Sequence, residues 1–175
     1  MRHFLFATAA AVAAVSAPAA AQTEAERTAS AALEAAPVWD GHNDVPIQLR
    51  SRLGNVINQF DFGDTLDTAT DARNAMHSDL NRMRQGKVGA QWWSVYVSAN
   101  LPEAEAVQAT VEQIDVTKRL IARYPQDLQL ALTADDVEEA MAAGRIASLL
   151  GMEGGHSIGS SLAVLRQMYD MGARY

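Results

Sequence analysis

Two short polar strings, far apart in the chain, each follow an apolar run that is typical of a buried strand. The first string is Asp40-Gly41-His42-Asn43-Asp44, after the run 36–39, and the second is Glu153-Gly154-Gly155-His156, after the run 146–152. Polar side chains just beyond the carboxyl ends of parallel strands are where β/α barrels place their chemistry. Because such distant segments meet only in a folded sheet, the two strings together constrain both the fold and the kind of site.

The segments around these strings alternate between strand patterns and helix patterns. Strands are predicted over 38–40, 88–97, 128–132 and 146–152, and each is followed by a helix-like stretch. The run 146–152 shows no alternation of polar and apolar residues, which is typical of a strand buried on both faces of a parallel sheet. Four strand–helix units of this kind predict a parallel α/β fold. The Gly-x-Gly-x-x-Gly signature of dinucleotide-binding folds is missing.

Several local features carry more detailed expectations. A leading helix is predicted over 23–36, and Ser78, Thr133 and Ser160 are candidate helix N-caps. The helix after Ser160 is expected to bury Leu162, Leu165 and Met168 on one face. The stretch 54–75 loses periodicity, and such long loops are usually functional or disordered. We favour an active-site loop over the first strand.

The first 21 residues have the organisation of a secretory signal peptide. Arg2 and His3 form a basic start, residues 4–15 an apolar centre, and Ala19-Ala20-Ala21 a small-residue cleavage signal. The apolar centre is short for a membrane span, which needs about 20 apolar residues. We therefore expect cleavage after Ala21 and export of residues 22–175 to the bacterial periplasm, with no membrane span afterwards. An uncleaved N-terminal anchor is the alternative.

Length, cysteine content and charge exclude several classes of protein. The chain has 175 residues, whereas a complete eight-unit barrel typically needs about 250. The absence of cysteine excludes disulfides, thiolate metal sites and a cysteine nucleophile. The formal charge of −7 argues against a nucleic-acid or anionic-membrane partner, since both require a basic patch.

Four residues in the two strings are candidates for the chemistry of a metal hydrolase. His42 and Asp44 are two apart at a strand end, so both side chains point the same way and can reach one ion, with Zn²⁺ favoured over Mn²⁺, Co²⁺ or Fe²⁺. Glu153 follows a wholly apolar strand, where a carboxylate is costly unless it is neutralised, for example by bridging two ions. Taken alone, Asp44 is better explained as a helix cap and His156 as a surface histidine, and only the combination favours a metal site.

Taken together, the strings resemble the membrane (renal) dipeptidase family of zinc peptidases. The resemblance runs from about Ala36 to Tyr175, and its most specific segments are 40–46, 88–97, 111–115, 123–125 and 151–158. It implies a (β/α)₈ TIM-type barrel of the metal-dependent hydrolase kind, of which this chain holds about the first half. It also implies a homodimer, as is usual in the family.

The resemblance further implies the role of each candidate residue. His42 and Asp44 would bind the first zinc ion, Glu153 would bridge the two ions, and His156 would contact the scissile carbonyl of a dipeptide substrate. A metal-bridging hydroxide would attack that carbonyl. The two histidines of the second zinc site would lie beyond Tyr175.

Two other interpretations stay open at the level of sequence. In one, the short chain is a catalytically inactive remnant, or a half barrel that binds a metal or a partner. In the other, the protein is a hydrolase elsewhere in the wider amidohydrolase group. Those enzymes usually carry His-x-His on the first strand, whereas position 44 here is Asp, so we rank this interpretation last.

Overall fold

The computed structural model describes residues 22–58, 60–66 and 76–175. The predicted signal peptide, residues 1–21, lies outside the described residues, as do residue 59 and residues 67–75 of the predicted loop. The elements, in chain order, are α1 (Glu24–Ala35), β1 (Val38–Asn43), α2 (Val45–Leu53), α3 (Leu80–Gln85), β2 (Val88–Tyr96), α4 (Glu103–Arg123), β3 (Leu128–Leu130), α5 (Ala134–Ala142), β4 (Ile146–Glu153), a short 3₁₀ helix (Gly155–Ile158) and α6 (Leu162–Met171).

The four strands form one parallel sheet, as the alternating pattern predicted. Their order across the sheet is β1-β2-β4-β3, so β4 lies between β2 and β3. Seven residue pairs join β2 to β4, from Ala90–Ala147 to Tyr96–Glu153. On the other side of β4, a further parallel bridge joins Leu150 to Ala173. The carboxyl ends of β1, β2 and β4 therefore meet at one edge of the sheet.

Helices cover both faces of this sheet, which explains the unbroken apolar run in β4. On one face, Trp93 and Leu150 pack with Ile114 and Leu120 of α4. On the other face, a smaller cluster joins β2 and β4 to Val137 of α5. Residues 146–151 are all buried, since side chains on either face of the strand meet a helix or a neighbouring strand.

The described part of the predicted loop contributes to the core. Phe62 is fully buried, and its ring lies 5.8 Å from that of Trp93 in an edge-to-face arrangement. The main-chain N–H of Phe62 donates to the Tyr124 hydroxyl over 2.7 Å. Phe60, Phe62 and Thr65 are all buried, so this segment contributes to the core, while residue 59 and residues 67–75 of the predicted active-site loop lie outside the described residues.

Several local expectations from the sequence need correction. The N-cap of α3 is Asp79, not Ser78, because the Asp79 carboxylate accepts from the Arg82 N–H. The N-cap of α6 is Ser161, not Ser160, whose backbone is left-handed and whose hydroxyl donates to Glu103. By contrast, the capping box predicted at Thr133 is confirmed. The helix α2 begins after Asp44, the residue that the sequence offered as a helix cap, but the Asp44 side chain makes no capping hydrogen bond.

The expected buried face of α6 is only partly buried. Met168 is almost fully buried, but Leu162 and Leu165 are 67% and 41% exposed. Helical periodicity identifies an apolar stripe without showing whether a neighbouring element covers it. No helix among the described residues is both long enough and apolar enough to cross a membrane.

Asp79, the N-cap of α3, has a fully buried carboxylate that links α3 to Thr65 of the predicted loop. It accepts hydrogen bonds from the Thr65 N–H and hydroxyl, and its Oδ2 lies 2.7 Å from Nε of Arg82. Burial by itself raises the pKa of Asp79, but the hydrogen bonds from Arg82 and Thr65 outweigh it and hold the pKa below its usual value. The charged form is therefore the one that stabilises the folded protein.

We expect Asp79→Asn to lower the free energy of unfolding at pH 7 by about 1.5–3 kcal/mol, the usual worth of hydrogen bonds to a charged group. The contribution of Asp79 is present above its unfolded pKa of about 3.9 and is lost as the pH falls through its lower folded pKa. Urea unfolding at several pH values measures both effects. Glu139→Gln, at an exposed position of α5, is the control and should change stability by less than about 0.5 kcal/mol. Equal stability of the two variants would contradict the assignment.

Candidate metal centre

The structure brings His42, Asp44 and Glu153 together at the carboxyl edge of the sheet. Nε2 of His42 lies 3.1 Å from Oδ1 of Asp44 and 3.9 Å from Oε2 of Glu153. One potential ligand atom from each residue lies within 4.8 Å of the others. The two polar strings predicted that these three side chains would meet. They do so because β1 and β4 both lie next to β2 in the described sheet, with their carboxyl ends on the same side.

The donor set suits a divalent metal ion. One imidazole nitrogen and two carboxylates match the ligands that zinc and related transition metals take from proteins. The three side chains are each about half exposed, at 50%, 56% and 47%, so water and a small substrate have access to them. Two carboxylates held this close also favour a cation on electrostatic grounds.

Asn43 and Gln91, which the sequence analysis did not single out, hold the first string in place. The amide Nδ2 of Asn43 donates to Oγ of Ser78 over 3.1 Å and faces Oε1 of Gln91 at 3.4 Å. Its Oδ1 accepts from the Val45 N–H, which starts α2 directly after Asp44. Gln91 is 1% exposed. A glutamine within a buried strand is the sequence signal that could have revealed this network.

Glu153 is held from the neighbouring strand. Its Oε2 accepts a hydrogen bond of 2.9 Å from the hydroxyl of Ser94, which is fully buried in β2. The Tyr175 ring lies 4.8 Å from the ring of Trp92, and a side chain at Gly151 would collide with it. Burial, with a contribution from the negative charge of Glu153, raises the pKa of Tyr175. The phenol therefore stays protonated next to the centre.

His156 lies outside the group formed by the other three candidates. Its Nε2 is 3.1 Å from the main-chain oxygen of Val97, directly after β2. Because a carbonyl oxygen only accepts, this nitrogen carries the proton. The ring covers Gly154, whose backbone has a φ of 102°. The structure therefore places His156 as a link between the loops after β2 and β4, and its contact with a substrate carbonyl stays a prediction. His77 is exposed and also lies outside the group.

Gly154 and Gly155 provide a matched test of this loop. A Cβ at position 154 would meet the His156 ring on a backbone that side chains rarely adopt, whereas a Cβ at position 155 has nothing within 4 Å. Strain of this kind costs about 1–3 kcal/mol. We expect Gly154→Ala to lower the free energy of unfolding by that amount and Gly155→Ala to change it by less than about 0.5 kcal/mol. Chemical denaturation measures both, and equal values would show that the loop is not constrained as described.

Solved structures that resemble this chain in fold include metallo peptidases and a probable dipeptidase. The chain matches a metallo peptidase from Rhodobacter sphaeroides, solved with a phosphinate mimic of the dipeptide L-Ala-D-Ala, with a TM-score of 0.66, 21% identity and coverage of 79% of this chain and 44% of that one. It also matches the probable dipeptidase PvdM from Pseudomonas aeruginosa, with a TM-score of 0.64, 16% identity and coverage of 85% and 36%.

A third match is the dipeptidase AC, with a TM-score of 0.61, 22% identity and coverage of 79% of this chain and 41% of that one. The chain thus spans less than half the length of each of these structures, and the predicted fold class, part of a TIM-type barrel, is confirmed. The sequence model for membrane dipeptidases, peptidase family M19, matches residues 26–175. The chain therefore belongs to the membrane dipeptidase family.

Proposed function

We propose that this chain is the N-terminal, metal-binding portion of an exported zinc dipeptidase. The observation that carries the proposal is the convergence of His42, Asp44 and Glu153, from two separate strands, on one solvent-accessible point. Family membership supplies the reaction class, hydrolysis of the peptide bond of a dipeptide. The structural relative bound to a mimic of L-Ala-D-Ala supports a dipeptide substrate whose second residue can be a D-amino acid.

Some residues of the proposed centre would bind the ions, and others position those ligands. His42 and Asp44, 3.1 Å apart, would bind the first ion, and Glu153, whose Oε2 lies 3.9 Å from the same imidazole nitrogen, would bridge the two ions. A bound zinc ion makes hydroxide available near neutral pH and polarises a carbonyl as a Lewis acid. Asn43 and Gln91 keep the first string in position, so His42 and Asp44 would not need to reorganise on binding.

The complete site requires more chain than the described residues provide. We propose that two zinc ions bind in the full protein, and that the histidines of the second site come from the part of the barrel that this chain does not span. The homodimer and the periplasmic location inferred from the sequence are also proposals. The acidic charge fits a protein without a nucleic-acid partner.

A half barrel that binds metal but has no activity is the second candidate. The observation that favours it is that the ligand group lies wholly within this chain, which spans less than half of the metallo peptidase it matches. The two candidates differ in one measurement. Both predict zinc binding at the centre, but only the dipeptidase hydrolyses a dipeptide when the protein is assayed at full length.

Glu153→Gln tests the proposed centre directly. The amide keeps the shape of the side chain but loses the charge, so we expect hydrolysis of a dipeptide to be abolished. Zinc affinity should fall by at least the 10–100-fold that loss of a supporting group costs. Zinc content after dialysis and dipeptide turnover are the measurements. Glu138→Gln, at an exposed position of α5, is the control and should leave both unchanged. Unchanged zinc content in Glu153→Gln would exclude Glu153 as a ligand.

We further propose that His156 acts mainly by holding the loop after β4, on the strength of its bond to the Val97 oxygen. His156→Ala should then lower the melting temperature of the metal-free protein and weaken zinc binding, because Glu153 begins this loop. A variant with normal stability and zinc content but a large loss in kcat would instead support the contact with the scissile carbonyl that the sequence predicts. Differential scanning calorimetry, zinc analysis and steady-state kinetics distinguish the two roles.

A further inference from the structure

A buried hydroxyl lies directly behind the carboxylate of Glu153. Ser94 is in the inner part of β2, is 0% exposed, and donates to Oε2 of Glu153 over 2.9 Å. Among residues 22–58, 60–66 and 76–175, Glu153 is the one hydrogen-bond acceptor of this hydroxyl. An ionised carboxylate only accepts hydrogen bonds, so the direction of the bond is settled.

The register of the sheet explains why Ser94 reaches Glu153. Ser94 is paired with Gly151, and Glu153 is two residues further along β4, on the same face. Position 151 has no side chain to stand between the hydroxyl and the carboxylate. The Tyr175 ring occupies the space that a side chain at position 151 would fill. The Glu153 carboxylate is therefore supported by the Ser94 hydroxyl while its side chain stays about half exposed to solvent.

The bond to Ser94 leaves the carboxylate able to bind metal. A carboxylate offers about four lone-pair positions, of which Ser94 uses one. The same oxygen, Oε2, lies 3.9 Å from Nε2 of His42, on the side of the proposed ion. The second oxygen, Oε1, accepts no hydrogen bond from the described residues. Both oxygens thus keep at least one lone-pair position that no hydrogen bond from the described residues uses.

We propose that Ser94 is a positioning residue that orients Glu153 for metal binding before the metal arrives. Outer-shell hydrogen bonds of this type fix the direction of ligands and commonly change metal affinity by 10–100-fold. Without the hydroxyl, the half-exposed Glu153 side chain can rotate away from His42. Metal binding must then restrict a side chain with more accessible conformations, which increases the entropic cost of binding. This inference rests on the proposed metal centre but assigns a residue outside the ligand set.

The test compares two buried serines on paired strands. Ser94→Ala removes the bond to Glu153. Ser148→Ala, the control, removes an equally buried hydroxyl that donates to the main-chain oxygen of Ile146, away from the centre. Zn²⁺ affinity is measured on tag-free, metal-free protein by competition with a chromophoric chelator. The zinc-induced rise in melting temperature is measured for each variant against its own metal-free state, which separates metal binding from folding.

We expect Ser94→Ala to weaken zinc binding about tenfold or more and to reduce the zinc-induced rise in melting temperature, while Ser148→Ala matches the unmodified protein in both. Equal zinc affinity in Ser94→Ala and the unmodified protein would overturn the positioning role, and so would an equal loss in both serine variants. Glu153→Gln, measured in parallel, separates this failure from failure of the centre. If zinc affinity is insensitive to Glu153→Gln, the proposed centre itself is wrong.

Discussion

The pairing of β2 with β4 is the constraint on which the rest of the structure depends. These strands are separated in sequence by α4, β3 and α5, yet seven consecutive residue pairs join them. Their side-by-side position brings Ser94 under Glu153, and the pairing of β1 with β2 brings His42 to the same edge. A slip of one residue in the β2–β4 register would turn Glu153 to the opposite face of the sheet, where α4 packs.

The fold holds two carboxylates, which repel one another, close together at the proposed centre. Asp44 and Glu153 carry like charges close to the same imidazole, an arrangement that favours a cation in the gap. The protein supports these groups with neutral hydrogen-bonding side chains. Asn43 organises the turn at the end of β1, and Ser94 donates to the carboxylate from β4. Neutral hydrogen-bond donors orient a carboxylate without using up the negative charge that would attract a metal ion.

Much of the fold could be predicted because its signals are local. The apolar run 146–152 required a strand buried on both faces, and the structure covers both faces with helices. The Thr133 capping box depends only on residues three apart and was found. The N-cap of α3 was placed one residue early, because Ser78 is an equally good cap by composition. Asp79 is the N-cap instead, because its carboxylate is held in place by buried hydrogen bonds from Thr65, which come from the tertiary structure.

By itself, the sequence determined the alternation of strands and helices, and it identified the two strings that carry His42, Asp44 and Glu153. These are properties of short segments, set by side-chain type and spacing. Only the tertiary structure decided the strand order, in which β4 lies between β2 and β3. It also directed Nε2 of His156 to the Val97 oxygen and left Leu162 exposed. Each of these depends on which distant segments become neighbours, and a pattern within one segment contains no information about the surface that packs against it.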